Sequence, residues 1–499
     1  MTSTTQIQLL AAAPALAGRA TGAFIDGRMV ATASDLRLDV YDPATEEVIA
    51  RLGEAGESEV DAAVRSAHTA FEDGRWSRLR PADRERILLK FADLVEAHGE
   101  ELAQIESWNQ GKSINIARAI DVGATVEYMR YVAGLATKIT GHTLDVSIPV
   151  PPGARFNAYT RREPLGVVAG VAPWNFPLMI GVWKVMPSLA AGCTVVLKPS
   201  EITPLTSFRL AELALDAGVP PGVFNVVNGR GQTTGKALTT HPLVAKVSFT
   251  GSTPVGKDIA RACIDNMTRV ALELGGKNPA IVLGDANLEK VVPGLLAGSL
   301  LNSGQVCAAA SRIYVERNLY GPLVDALSGA MTGMSMGPGL DPAAEVNPLV
   351  SAIQRDRVRG HIATAREHGA DIVSGAKTPD RGYFVAPTLV VGAKADHPIQ
   401  KAEVFGPVVS ITAVDSAEEA IALSNDSRYG LASSLWTENL SRAMDAIPQI
   451  RAGTVWVNSH IPLDPNMPFG GVKESGMGRD FGPQALDAFT ETKSVCIAY

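Results

Sequence analysis

Disulfide chemistry has little to work with in this sequence. Only four cysteines occur in 499 residues, Cys193, Cys263, Cys307 and Cys496, and no two are spaced C-x-x-C. A disulfide framework is therefore not expected, and a reducing compartment, the cytoplasm, fits. The eight histidines form no H-E-x-x-H or other metal-ligand spacing, so no metal is expected. Acidic residues outnumber basic ones, 52 to 45, which leaves no electrostatic case for a nucleic-acid partner. The one arginine cluster, RWSRLRPADRER at 75–86, is interrupted by acids and reads as a solvated helix start. No basic residue precedes the apolar centre of MTSTTQIQLLAAAPALAGRA, as a signal peptide would require, and a loose N-terminal segment is expected instead. The uncharged run from Pro164 to Trp183 reaches the length of a membrane span. Pro173 and Pro177 at its centre make a continuous helix costly, so strand, loop and helix are expected there, and no membrane partner. Tandem repeats and low-complexity blocks are absent.

What is present is an alternation of β-rich and amphipathic segments in a chain long enough for two or three domains. LGVVAGV (165–171), CTVVLKP (193–199), VFNVV (223–227) and VAKVSFTG (244–251) read as strands. MIGVWKVMPSLAAG (179–192), TSFRLAELALDAG (206–218), with a threonine start, TTGKALTTH (233–241) and PVGKDIARAC (254–263) read as the helices between them. This spacing means βαβ units and a parallel sheet, which binds ligands at the carboxyl ends of its strands. A second alternating series follows Glu273 through PAIVLG, a helix around LEKVVPGLLAGSLLNSG, SRIYVE, FVAPTLVVG and GPVVSITAV. The Pro-rich segment 142–164 suggests an extended hairpin, and ETKSVCIAY (491–499) a strand with no local partner. Two such stray strands could pair in a small third domain, and their exposed edges invite a second chain.

Several short stretches carry possible chemistry, each with a plainer reading beside it. Gly251 and Gly256 flank a strand-to-helix junction, where bare amides bind phosphate, or a plain turn. Lys198 and Glu201 end a strand where they could hold ribose hydroxyls, the carboxylate favouring NAD over NADP, or form a surface ion pair. Glu273, ahead of Gly-Gly, could have a raised pKa and act as a base, or be a turn acid. Asn175, in the proline-rigid loop APWNFPL, could donate to an oxyanion or satisfy loop backbone. Cys307, among small residues, is a buried hydrophobe or a nucleophile activated by a helix start or a nearby base; Gly304 before it is compatible with a turn into a helix. EVFGPVV (403–409) and PFGGVKESGMGR (468–479) could be ordinary loops.

Taken together, PWNFP, KPSE, FTGS, ELGGK, GQVC, EVFGPV and PFGGVKESGMGR, in this order, resemble the aldehyde dehydrogenase superfamily from about residue 25 to the C-terminus. Cys307 stands 34 positions after Glu273, as the family has it. The resemblance implies an α/β fold: a Rossmann-like cofactor domain, an α/β catalytic domain and a small bridging β domain for oligomerisation. The expected boundaries are 1–141 with 163–272 for the NAD-binding domain, 273–475 for the catalytic domain, and 142–162 with 476–499 for the bridging domain. It also implies roles. Cys307 would be the nucleophile, with Asn175 and the Cys307 amide holding the oxyanion. Glu273 would activate water against a thioester and could help deprotonate the cysteine. Lys198 and Glu201 would bind the adenosine ribose of NAD and Ser252 its pyrophosphate. Glu403 would hold the nicotinamide ribose with Phe405 beside it, and Trp174, Gly251, Gly256 and Leu274 would complete the cofactor site. Lys184 and Asp480 fall where the family has a proton-relay lysine and an acid, there commonly Glu. The family assembles as homodimers or homotetramers.

The pocket positions implied are Phe176, Met179, Trp183, Val306, Leu463 and Phe469, all apolar or aromatic. The tail from Leu463 onward looks like that of phenylacetaldehyde dehydrogenases, so an arylacetaldehyde is expected. An amino- or betaine-type aldehyde is the alternative, with Asp464 close by. An enzyme of another class, a thiol esterase or acyl-transfer enzyme, would keep Cys307, Asn175 and Glu273 but have no use for Lys198, Glu201 or Glu403.

Overall fold

The computed structural model describes residues 7–375 and 377–499. Two large sheets dominate it. In the first, five parallel strands stand in the spatial order Arg269–Glu273, Val244–Thr250, Val167–Val171, Thr194–Lys198, Phe224–Val227. Val167–Val171 and Thr194–Lys198 are buried along their whole length, which is why they read as unbroken apolar runs. The strand order reverses between Val167–Val171 and Val244–Thr250. A crevice opens at such a reversal, outside the carboxyl ends of the strands. The loops leaving those two ends carry Trp174 and Asn175, and Gly251 and Ser252.

The second sheet has seven strands, with Ala310–Glu316 between Asn278–Val282 and Val408–Val414. Here the residues of interest enter at the opposite end. Cys307 precedes Ala310–Glu316, and Glu403 and Phe405 precede Val408–Val414, so they sit at amino ends of strands. The carboxyl ends of one sheet thus meet the amino ends of the other.

The uncharged run from Pro164 to Trp183 is a strand, a loop and a helix, Pro177–Ala191, as expected. Pro177 sits in the first turn, where its missing N–H costs nothing. The stray strands pair as well: Phe156–Pro164 lies antiparallel to Thr490–Ala498 along its whole length, with Thr143–Leu144 on its other edge. Gly476–Met477 joins the first large sheet beside Arg269–Glu273. The arginine cluster leads into the helix Pro81–Ala97, with Arg80 and Arg86 both paired to Asp83.

Some expectations need correction. Residues 1–6 lie outside the described residues, but Ala12–Arg19 is a helix rather than a loose segment, because Ala13 and Leu16 are fully buried. The helix Leu205–Ala217 starts ahead of Thr206 and is preceded by Pro204, so the threonine is not its cap. Only Thr388–Val391 of FVAPTLVVG is strand, since Pro387 offers no N–H to a neighbour.

Phe208, on Leu205–Ala217, is fully buried in the core that this helix builds with Pro81–Ala97 and Gly99–Gln110. Replacing it by alanine should cost about 3–5 kcal/mol, read as a lower midpoint in urea unfolding.

Candidate active site

Cys307 follows a strained loop, and of the alternatives left open there the helix start is not the one formed. Asn302, Ser303 and Gly304 are consecutively left-handed, with φ of 49°, 53° and 73°. At Gly304 a Cβ would lie 2.1 Å from the carbonyl oxygen of Gly406, so glycine is required. Side chains hold this shape. Asn302 donates to the carbonyl of Asn175 at 2.9 Å, and Ser303 to that of Asn347 at 2.7 Å. Gln305 accepts the N–H of Val350 at 3.0 Å. The chain then turns and enters Ala310–Glu316 as a strand. No helix begins at Cys307 itself. Burial, with Glu273 and Glu403 adding negative charge, pushes the thiol up to about 12, against the pull of the Ala308 and Cys307 amides.

Asn175 donates its Nδ2 to the carbonyl of Gln305 at 3.0 Å, which ties its loop to that of Cys307. An amide nitrogen has two protons, so one remains for a ligand. Glu273, at the end of its strand and 6% exposed, has no hydrogen-bond partner on either carboxylate oxygen. Gly470 leaves it room: a Cβ there would come within 2.6 Å of Oε1. Burial, and then the charge of Asp480, raises its pKa well above the usual carboxylate range. Lys184 meets that same Asp480 at 2.8 Å, both side chains buried.

Two cavities meet at Cys307. One, of about 340 Å³, lies at the strand-order reversal and is lined by Trp174, Asn175, Gly251, Ser252, Leu274, Glu403 and Phe405. The Trp174 and Phe405 rings stand edge to face, centroids 5.2 Å apart. Glu403 is fixed by the N–H of Gly276 at 2.9 Å, and Gly275 is bare where a Cβ would fall 2.2 Å from its carboxylate. Ser252 precedes the helix Thr253–Asp265 and spends no side-chain bond on capping it, and the Thr250 hydroxyl is buried without a partner. Free helix-end amides, open hydroxyls and a fixed carboxylate suit a polyhydroxylated, phosphate-bearing group. The other cavity, of about 1090 Å³, is lined by all six expected pocket residues: Phe176, Met179, Trp183, Val306, Leu463 and Phe469. Phe481 stacks edge-on against Trp183, with centroids 4.7 Å apart. Glu127, Arg130, Lys290 and Asp464 add charge of both signs to its lining.

A model of the aldehyde dehydrogenase family matches residues 29–495. The chain belongs to the aldehyde dehydrogenase family. As a member, it is an oxidoreductase acting on aldehydes. It is 46% identical to the phenylacetaldehyde dehydrogenase of Pseudomonas fluorescens over 478 residues, 95% of each chain. An aldehyde dehydrogenase of Bacillus cereus, solved as an NAD+ complex, superposes with a TM-score of 0.95 at 43% identity, covering 99% of both chains. The betaine aldehyde dehydrogenase of Staphylococcus aureus, also in complex with NAD+, reaches 0.93 at 36% identity, covering 97% and 96%.

Not every expected residue of this family member lines a cavity. Lys198 and Glu201 lie 3.7 Å apart, outside the 340 Å³ cavity, with the lysine donating to the carbonyl of Pro199 at 2.6 Å. Gly256 also stands outside it; a Cβ there would strike Leu274 at 2.4 Å, so its bareness seats that leucine. Other residues escaped sequence reading. Gln354 donates to the carbonyl of Phe405 at 2.7 Å, and Arg357 to that of Glu403 at 3.2 Å, and both line the cofactor-side cavity. They lie on a helix with no local motif, so nothing marked them.

Glu273→Gln should stabilise the fold. Below the unfolded-state pKa both states hold the proton, and the carboxyl costs nothing. Above it the unfolded chain ionises while the buried carboxyl still holds its proton, and the folded state loses ground by about 1.4 kcal/mol per pH unit. This continues until pH reaches the raised folded-state value. The melting point of Glu273→Gln should therefore exceed that of the wild type by a margin that widens with pH and then levels off.

Proposed function

We propose that the protein oxidises arylacetaldehydes, phenylacetaldehyde among them, to their carboxylic acids with NAD, through a thioester on Cys307. The observation that carries this is the position of Cys307 between an apolar, aromatic-walled cavity and a cavity built for a phosphate-bearing group. Bound in the second cavity, NAD supplies the acceptor for the hydride that leaves the aldehyde carbon.

The chain's own groups do the rest. The Cys307 sulfur adds to the aldehyde carbon, and the Asn175 amide and the Cys307 N–H stabilise the oxygen as it becomes anionic. Glu273 accepts the thiol proton, and later that of the water which opens the thioester. Its oxygens are free of protein partners, as a base that must reach both needs. The paired Lys184 and Asp480 beside it pass its proton onward. Glu403 and Phe405, with Trp174, Leu274, Gly251 and Ser252, hold the cofactor, and Lys198, Glu201 and Gly256 shape its outer part.

The domain boundaries we propose keep 1–141 with 163–272 for the cofactor domain (described from residue 7), 273–475 for the catalytic domain and 142–162 with 476–499 for the bridging domain, except that Gly476–Met477 pairs into the sheet of the cofactor domain. The free edge of Thr490–Ala498 and the exposed Val255 and Ile264 support assembly as a homodimer or homotetramer. Among the described residues no helix is long and apolar enough to cross a membrane. Four free cysteines support a cytoplasmic setting. A redox-free thiol hydrolase would leave the cofactor-side cavity without use. A cationic amino- or betaine-type aldehyde is the second reading, favoured by Glu127 and Asp464 in the lining of the substrate cavity.

A panel of aldehydes compared by kcat/KM should rank phenylacetaldehyde at least tenfold above betaine aldehyde, with NAD preferred to NADP; the reverse ranking selects the cationic reading. Cys307→Ala should abolish NADH formation while NAD still binds within about twofold of wild type. Glu273→Gln should acylate more slowly than wild type and then stall, giving one turnover of NADH without steady release of acid. In the wild type, kcat should climb with pH across a range above that of an ordinary glutamate, because the base works only once ionised.

A further inference from the structure

The peptide carbonyls of Cys307 and the two residues after it are all held from behind. Asn278, at the head of Asn278–Val282 and 2% exposed, donates from Nδ2 to the carbonyl of Cys307 at 2.7 Å and to that of Ala309 at 3.0 Å. Its Oδ1 accepts the N–H of Ala432 at 3.1 Å, so the amide is committed in both senses and cannot turn over. His460 holds the carbonyl between them, its Nε2 donating to Ala308 at 2.8 Å. The other ring nitrogen lies 2.8 Å from the Ser434 hydroxyl and accepts from it, and the Ser434 oxygen accepts the indole N–H of Trp436 at 3.1 Å. Burial lowers the imidazole to about 4, so the ring stays neutral with one donor and one acceptor. Gly276 passes so close that a Cβ would lie 2.4 Å from the Cys307 carbonyl oxygen.

A trans peptide points its C=O and N–H in opposite directions. The carbonyl of Cys307 and the N–H of Ala308 belong to one peptide. Holding the first on Asn278 turns the second toward the sulfur, where it favours the thiolate against burial and two carboxylates. The next peptide is fixed the same way, its carbonyl on His460 and its N–H, from Ala309, on the carbonyl of Val306 at 3.0 Å. We propose that Asn278 is a positioning residue for the nucleophile: by holding the carbonyls of Cys307 and Ala309 it aims the Ala308 N–H at the sulfur, with His460 bracing the peptide between. This rests on the reading of Cys307 as the nucleophile.

The test is the rate at which iodoacetamide alkylates Cys307 at pH 8, followed on the Cys307 peptide by mass spectrometry, beside single-turnover NADH formation. Wild type, Asn278→Ala, Asn278→Ser and His460→Leu are compared. Removing the aimed donor should slow alkylation about tenfold in Asn278→Ala, since the thiolate is the reacting form. NADH formation should slow in parallel, with the Kd for NAD within about twofold of wild type. Asn278→Ser, which keeps one hydroxyl donor, should recover part of the rate, and His460→Leu should slow it by a smaller factor. A residue that merely packs the loop predicts the opposite: a loosened site exposes the thiol, and alkylation runs as fast as wild type or faster. That result overturns the proposal. If Asn278→Ala does not yield folded protein, Asn278→Ser carries the same test, with slowing expected and unchanged or faster alkylation overturning it. Full turnover in Cys307→Ala would instead overturn the nucleophile reading itself, whatever the Asn278 variants do.

Discussion

The thiol of Cys307 and the carboxyl of Glu273 meet at one junction, and burial pushes both toward their neutral forms. Two anions side by side there would be costly, so the junction favours one negative charge at a time. On the mechanism proposed, that charge stands in sequence on a sulfur, an oxygen or a carboxylate. Much of the surrounding structure provides for that charge. The Ala308 and Cys307 amides pull the sulfur toward its thiolate, the Asn175 amide keeps a proton to give, and both oxygens of Glu273 are without protein partners among the described residues. Preset dipoles of this kind need no reorganisation when the charge develops.

Such presetting is held by backbone strain. Left-handed residues at Asn302 and Ser303 each cost about 1–3 kcal/mol, offset by the side-chain bonds that pin the loop to Asn175, Asn347 and Val350. The Asn302–Asn175 bond crosses between the two large sheets. The first sheet offers the carboxyl ends of its strands at a point where strand order reverses. The second offers amino ends, which brings Cys307 and Glu403 in from the far side. The junction is thus shared property, and neither sheet alone contains it.

The apolar cavity follows from the same arrangement. Its inner wall is the helix Pro177–Ala191, buried on every side, so Met179 and Trp183 cannot turn away to solvent. Phe469 and Phe481 close on Trp183 from the C-terminal segment. The aromatic rings of this wall share the cavity with the mixed charges of Glu127, Arg130, Lys290 and Asp464.

Local pattern in the chain was enough for the alternating α/β architecture, for the strand–loop–helix reading of 164–183 and for the extended segments at 142–164 and 491–499, since periodicity and proline act over a few residues. The short stretches around Asn175, Glu273, Cys307, Glu403 and Phe405 each admitted a plainer reading alone and became legible as a site only jointly, through the family resemblance. The pocket residues were legible only through the family resemblance, and the structure gathers all six on one cavity. Local reading failed where a contact from far along the chain decides. It left a turn into a helix after Gly304 open, and the chain makes a left-handed loop instead, held by residues more than forty positions away. Gln354, Arg357, Asn278 and His460 carried no local mark, because their importance lies in which carbonyl each one meets. By itself the sequence determined which groups could react and which segments would pleat or coil. Only the tertiary structure decided their protonation and aim, because burial and hydrogen-bond direction depend on neighbours that folding alone brings together.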